Sequence, residues 1–450
     1  MIVGEVVAAA DGLWQQPWML SILSLPVASA ASRAVVMGAL ALVATALAWR
    51  RGVPGWPRRA ALWTVAGAAI GGALVLVVDV WLAMVPGGLP APGRWWVVLA
   101  LAGLGLIGAN LAGTRRRRRV GALSAVVPVL LAGALGVNAA YGVLDSVGAL
   151  LGKPTVPVLD AADLAGPVAA GDQPVDAVAR TWRPPPGMPA VGRRSTVEIP
   201  ATTSGFGARP AGLYLPPAAL VEHPPVLPVV VMMMGQPGSP DVSFVADVLD
   251  AKAAAHGGLA PIVVVADQTG DPFHDTLCMD TSRFGKAETY INTDVVAWIR
   301  THLRVSARRA DWVVAGYSNG GLCAARFLAL HHSTWGDAIA IAPEEFPGSD
   351  HPGRTLAEQF GGDQGAYDAY RLPRVYEGTS LPDTWAVFTV SRDDEAHLAG
   401  VRRVAAAARK AGAHTSYLEF DGGGHASQTL VQGLDKGFDV LYPRLGLRVS

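Results

Sequence analysis

Hydrophobic residues are spread unevenly along this chain. The first third is a series of long apolar runs, and the rest alternates short apolar segments with amphipathic ones. A helix needs about 20 predominantly apolar residues to cross a bilayer. Four early runs have that character, near Ala30–Trp49, Ala60–Val85, Trp95–Gly113 and Val120–Val143. The polar residues that interrupt them are mostly arginines. Arg50, Arg51, Arg58 and Arg59 lie between the first and second runs, and Arg115–Arg119 form an unbroken block between the third and fourth. The connection Pro86–Arg94 carries a single arginine with several Pro and Gly. Arginine excess marks cytoplasmic loops, so the pattern predicts four membrane helices with both arginine clusters in the cytoplasm and both termini outside.

Smaller features fit this frame. Trp63, Trp81, Trp95 and Trp96 lie at or near span ends, as interfacial aromatics do. Residues 1–29 contain Glu5 and Asp11 and lack a basic n-region, which disfavours a cleavable signal peptide. They are read as an extracytoplasmic segment ahead of a membrane region at 30–145. Asp79 and Asn138 fall near the outer ends of spans two and four, where a structural role is expected. Gly103-Leu-Gly105-Leu-Ile-Gly108 matches a dinucleotide fingerprint but lacks the strand and βαβ setting that motif requires. Close helix packing through small residues, which Gly67-x-x-x-Gly71 also allows, is the better reading.

After the spans the pattern changes twice. Residues 146–194, rich in Pro, Ala and Gly with no sustained period, are read as a linker or stalk. From 195 to 450 short apolar runs alternate with helical segments. Strands are predicted at Ser195–Ile199, Gly212–Leu215, Leu227–Met233, Ile262–Val265, Trp312–Ala315, Ala338–Ile341, Trp385–Val390 and Thr415–Phe420. Helices are predicted at Thr293–Leu303, Leu322–His331 and Leu398–Ala411. Such alternation implies an α/β domain with a mostly parallel sheet and helices on both faces. Composition agrees with this division: 51% of the 450 residues are hydrophobic and only 16% charged. The formal net charge is zero, so no basic surface points to nucleic acid.

The chemistry gathers in the second half. Gly316-Tyr317-Ser318-Asn319-Gly320 stands between a predicted strand and a predicted helix, as in a nucleophile elbow. Glycines flank the serine because side chains two residues either side of it would collide in so sharp a turn. With 52 glycines in the chain the motif alone is weak, so its partners matter. α/β-Hydrolases supply them in the order serine, acid, histidine. The strand Trp385–Val390 runs into Asp393, Asp394 and Glu395. An acid there can hold the imidazole tautomer, and the usual spacing favours Asp394, then Asp393, then Glu395. The last strand leads to Asp421-Gly-Gly-Gly-His425, a glycine-rich loop able to carry a general base to the serine. His397 and His414 compete by proximity, but the first begins a helix and the second precedes a strand. Oxyanion donors are expected from the backbone N–H groups of Asn319 and of Gln236, in the turn Gly235-Gln236-Pro237-Gly238 after an early strand.

With these residues assembled, the region from about 205 to 442 resembles the esterase D and antigen 85 (mycolyltransferase-like) branch of the α/β-hydrolases. The elbow, the Gly235–Gly238 loop, Gly424-His425 and the segments Asp275–Asp280 and Ala287–Val295 carry the resemblance. The whole plan is similar to actinobacterial membrane esterases. The resemblance implies Ser318, Asp394 and His425 as the triad. Met234 departs from the histidine common before the oxyanion glycine, and Ser391 from the glycine common before the triad acid.

Cys278 and Cys323 are the only cysteines. Outside the membrane they can form a disulfide tying a loop to the elbow helix; as two small buried hydrophobes they would stay apart. No His/Cys/acid spacing suggests a metal, and the chemistry needs no cofactor. The expected function is a membrane-anchored serine esterase with an extracytoplasmic catalytic domain. Its expected substrate is an acyl or aminoacyl ester of a lipid or cell-envelope molecule. An acyltransferase using a hydroxyl acceptor is the alternative, and a non-catalytic envelope-binding module the reading from another class. An insertion between Pro343 and Pro382, carrying Phe346, Phe360, Tyr367 and Tyr370, is expected to form a cap.

Overall fold

The computed structural model describes residues 14–448 apart from 28, 51, 82–88, 90, 112–113, 142–143, 145, 152, 154, 165, 168–177, 273 and 350. Glu5, Asp11, Arg51, Val85, Gly113 and Val143 therefore lie outside the described residues. The chain divides into two compact units, one spanning Pro17–Thr155 and the other containing Val156–Ser450.

In the first unit, α1 (Ala30–Ala48), α2 (Trp56–Leu76), α3 (Ala91–Leu111) and the pair α4 (Arg116–Ser124) and α5 (Val126–Tyr141) supply four helical stretches long and apolar enough to cross a membrane. Their outward residues are large and apolar: Val35, Leu42 and Val127 are each at least 70% exposed. A surface of that kind suits lipid rather than water. The second and third stretches begin about a turn earlier than the apolar pattern predicts, because Trp56 and Ala91 start helices whose first turns still carry arginines. The fourth breaks at Ala125, three residues before Pro128. Proline lacks an N–H and clashes with the carbonyl four residues back.

Small residues set the packing. A Cβ on Gly105 would lie 2.1 Å from the Trp63 carbonyl oxygen, and one on Gly67 2.2 Å from that of Leu101, so α2 and α3 meet backbone to backbone. Of the Gly103–Gly108 motif, Gly105 and Gly108 serve this contact against Trp63, and Gly103 faces Val129 on α5. Asp79 accepts from the Leu89 N–H at 2.9 Å and pairs with Arg94 at 3.0 Å, while Asn138 bonds both backbone groups of Leu144. Both polar residues thus close chain turns. Within the arginine block, Arg118 folds inward to the Leu47 carbonyl and the Asn110 side chain, covering open carbonyls at the end of α1.

The second unit is built on an eight-stranded sheet. Its strands are β1 (Arg193–Val197), β2 (Ala211–Leu215), β3 (Val229–Met233), β4 (Ile262–Val265), β5 (Trp312–Tyr317), β6 (Asp337–Ile341), β7 (Trp385–Ser391) and β8 (His414–Phe420). Their spatial order is β1-β2-β4-β3-β5-β6-β7-β8. β2 runs antiparallel to β1 and β4, and every other pairing is parallel. That is the α/β-hydrolase arrangement. β2 to β6 are buried at every residue, as strands covered on both faces must be. The helices that flank the sheet include α6 (Ser243–Ala255), α7 (Val296–His302), α8 (Asn319–Leu330), α9 (Glu395–Lys410) and α10 (Ser427–Arg444). α10 can lie close because Gly433 and Gly437 face Ile341 and Ile339.

Parts of the segment read as a linker or stalk lie against the sheet domain. Val158 bridges in parallel to Thr196, Trp182 donates to the Gly257 carbonyl, and Leu159, Leu164 and Val178 pack on the sheet domain's core. Burial of these scattered apolar residues outweighs the Pro-rich composition on which the stalk expectation rested. The insertion after β6 forms helices at 352–360, 364–369 and 372–376. Tyr376 anchors it to α8 by donating to the Ala325 carbonyl at 2.8 Å.

Candidate active site

β5 turns into α8 through Ser318, whose backbone sits at φ 56°, ψ −117°. Such a conformation costs a non-glycine residue of order 1–3 kcal/mol and persists only where its surroundings enforce it. Here they do. The Ser318 N–H donates to Ile341 on β6, and its carbonyl accepts the Leu322 N–H within α8. A Cβ on Gly316 would come within 2.0 Å of the Gly320 oxygen, and one on Gly320 within 2.2 Å of the Met233 oxygen. Only glycine fits either place.

The histidine arrives from the far end of the sheet. Gly422, Gly423 and Gly424 all take positive φ after β8, a run that other residues resist. The loop brings His425 Nε2 to 2.8 Å from Ser318 Oγ and Nδ1 to 2.6 Å from Asp394 Oδ2. A carboxylate only accepts, so Nδ1 carries the proton and Nε2 is left to accept from the serine hydroxyl. The Tyr317 ring stacks on His425 at 5.2 Å.

Among the three consecutive acids, burial decides. Asp394 is 3% exposed, whereas Asp393 and Glu395 are both exposed. Asp393 instead accepts from the Gly422 N–H at 3.1 Å, and Glu395 opens α9. Burial by itself would raise the Asp394 carboxyl, but hydrogen bonds from His397 and His425 outweigh it and hold the group far below the ordinary carboxylate range. Ser391, in the place where glycine is common, has its own contact: its hydroxyl donates to the Gly422 carbonyl at 2.8 Å and accepts the Asp393 N–H. It joins the acid turn to the histidine loop.

The turn after β3 lies against Ser318, since a Cβ on Gly235 would sit 3.4 Å from that of Ser318. Gln236, in the same turn, is partly buried. The Met234 carbonyl accepts from the Gln268 side chain at 2.6 Å, and Gln268 also reaches the Asn319 amide at 3.2 Å. Asp275 holds that amide from its nitrogen side at 2.9 Å. Asn319 begins α8, so its own backbone N–H belongs to the first helical turn, which has no intrahelical acceptor. Arg209 braces the other end of the turn, bonding the Gly238 carbonyl and the buried Asp267. Cys278 and Cys323 are joined in a disulfide with Cα atoms 5.1 Å apart, fastening the Gln268–Cys278 loop to α8. Gln268 and Arg209 carry no motif of their own; Asp275 stands in the segment that carries the family resemblance, with no sign there of its contact to Asn319.

His397, weighed in the sequence as a competitor of His425 and set aside, has a different place in the site. This residue bonds the second oxygen of Asp394 at 2.8 Å and stacks on His425 with ring centroids 4.0 Å apart and planes at 13°. The i,i+3 spacing from Asp394 was the available signal. Asp394, His397 and His425 place donor atoms within 4.8 Å of one another. Two nearly parallel stacked imidazoles cannot both aim an in-plane lone pair at one ion, so the trio fits proton chemistry better than metal binding.

No family model matches the chain. It is 28% identical over 413 residues to an uncharacterized protein of Corynebacterium glutamicum, an alignment covering 86% of this chain and 91% of that one. Solved structures similar to it include a ferulic acid esterase (17% identity, TM-score 0.45, covering 56% of this chain and 98% of that one). Another is an S-formylglutathione hydrolase from Agrobacterium tumefaciens (19% identity, TM-score 0.47, 57% and 97%). A third is MPT51 (FbpC1) of Mycobacterium tuberculosis (13% identity, TM-score 0.42, 56% and 98%).

Proposed function

We propose that this protein is a membrane-anchored serine esterase. The observation that carries the reading is the continuous chain from Ser318 Oγ through His425 to the buried carboxylate of Asp394, with contacts of 2.8 and 2.6 Å. Ser318 Oγ attacks the ester carbonyl carbon as its proton passes to His425 Nε2. The carbonyl π pair moves onto oxygen, where the backbone N–H groups of Asn319 and Gln236 receive the oxyanion. Collapse breaks the carbon–oxygen bond to the leaving alkoxide, which takes the proton from His425 and departs as an alcohol. Water, deprotonated by the same imidazole, then releases the acid and restores Ser318. A hydroxyl acceptor in place of water would turn the same acyl-enzyme to transfer.

The substrate we propose is an acyl or aminoacyl ester of a lipid or cell-envelope molecule, met at the outer surface of the cell membrane. Four apolar helices in the same chain support this setting, and the arginine pattern supports an extracytoplasmic catalytic domain. So does the Cys278–Cys323 disulfide, a bond that persists in oxidising compartments.

A fluorophosphonate probe on detergent-solubilised protein tests the chemistry. Labelling is expected in the wild type and in Ser333→Ala, and is expected to vanish in Ser318→Ala. A folded wild type that stays unlabelled would leave the fold as a binding module and end the esterase reading.

A further inference from the structure

Asp394 gives only one oxygen to His425. Its other oxygen accepts from His397 Nδ1 at 2.8 Å, and the His397 ring lies stacked on that of His425. Position explains how. Asp394 is the N-cap of α9 and His397 is its third helical residue, so one turn brings the imidazole beneath the carboxylate. An N-cap aspartate ordinarily turns its oxygens onto backbone N–H groups of the first turn. Asp394 makes no such bond. Both oxygens are given to imidazoles, in a place where the Asp394 side chain is 2% exposed and that of His397 10%.

The terminal torsion of an aspartate is broad and roughly two-fold, so one hydrogen bond leaves the carboxylate plane poorly defined. A second donor on the opposite oxygen defines it. We propose that His397 is a positioning residue for the triad, a proposal that rests on the esterase reading of Ser318. Its Nδ1–H sets the carboxylate plane so that Oδ2 meets His425. Its ring face limits how far the His425 imidazole tilts from Ser318 Oγ. His397 touches no reacting atom and acts through Asp394 and His425.

The test separates its two contacts in the full-length solubilised protein, with p-nitrophenyl butyrate as the probe substrate. His397→Asn keeps a donor where Nδ1 stood and loses the ring; His397→Phe keeps a ring and loses the donor; His397→Ala loses both. A misplacement of about 1 Å can cost on the order of 10²-fold in rate, so kcat is expected to fall about 10- to 100-fold in the alanine and phenylalanine variants. KM should hold steady, and the asparagine variant should recover most of kcat. The rate of fluorophosphonate labelling at Ser318 should follow kcat. Wild-type kcat in His397→Ala would overturn the proposal, as would an asparagine variant no better than phenylalanine. Loss of folded protein in all three, read by thermal melting, would assign His397 to helix stability and overturn it equally. An unlabelled wild type would overturn the esterase reading beneath it, which is a different result.

Discussion

At Asp394, three residues of one chemical type occupy consecutive positions and only one is in reach of the imidazole. Replacing Asp394 by asparagine removes the acceptor that holds the proton on Nδ1 and favours the wrong tautomer. A loss of up to about 10⁴-fold in kcat is expected. Asp393→Asn and Glu395→Gln should leave kcat near the wild-type value, and steady-state kinetics on the three variants will check the ranking. A large loss in Asp393→Asn alone would move the acid by one residue. Ser318, His425 and the preference for Asp394 were legible in the sequence because each lies just past a predicted strand, where hydrolase chemistry needs it. His397 was not. Its role depends on a carboxylate turning away from its own helix, and nothing in residue order reports that turn. Gln268 and Arg209 were hidden for a similar reason: their partners lie 51 and 58 residues away along the chain.

The strands were the most readable elements. Sheet interiors demand unbroken apolar runs, and those runs end within a few residues of the observed strands. Less readable were the ties between elements. The disulfide closes a separation of 45 residues between the Gln268–Cys278 loop and α8. By chain entropy it contributes about 4 kcal/mol. Cys278→Ser with Cys323→Ser should therefore lower the melting temperature by roughly 10 °C, and calorimetry with and without reductant will measure it. A second tie fixes the start of β6. There Asp337 is fully buried, accepts the Trp385 N–H and faces Arg444 of α10. Burial pushes its carboxyl from the ordinary 3.8 up to about 6, against the pull of those partners. The folded state then holds the proton more tightly than the unfolded one. The contribution is full below pH 3.8 and is lost as pH rises through about 6, a change of about 3 kcal/mol. Denaturant midpoints of the full chain across that window should fall less steeply with rising pH in Asp337→Asn. An unchanged slope would show that the pair with Arg444 keeps Asp337 ionised throughout.

For the molecule as a whole, the long apolar runs and the alternating segments were each visible in the sequence because helices apolar enough to cross a membrane and a buried sheet leave different patterns. Lipid asks for uniform apolarity over a span, and a sheet core asks for short bursts. The docked stretch around Val158–Leu164 and Trp182 has neither pattern. Its apolar residues are placed by partners distant in the chain, so composition alone suggested a linker or stalk. Orientation rests on the arginine pattern. A periplasmic-type alkaline phosphatase fused after Ser450 should be active and a cytoplasmic-type reporter silent. The reverse pattern would put the arginine clusters outside and Ser318 in the cytoplasm.

The register at the edge of the sheet has a mechanical consequence. Ser391 pairs with Phe420 across the β7–β8 ladder, and the Ser391 hydroxyl fastens the two loops that follow. His425 and Asp394 therefore ride on one stiff plate of adjoining strands. Ser318 follows β5, with β6 between. Any flexing of the sheet about β6 leaves the imidazole–carboxylate spacing intact and alters the serine–imidazole gap. Volume changes at Ala338 or Ala340, on that intervening strand, would act as a remote adjustment of this one distance.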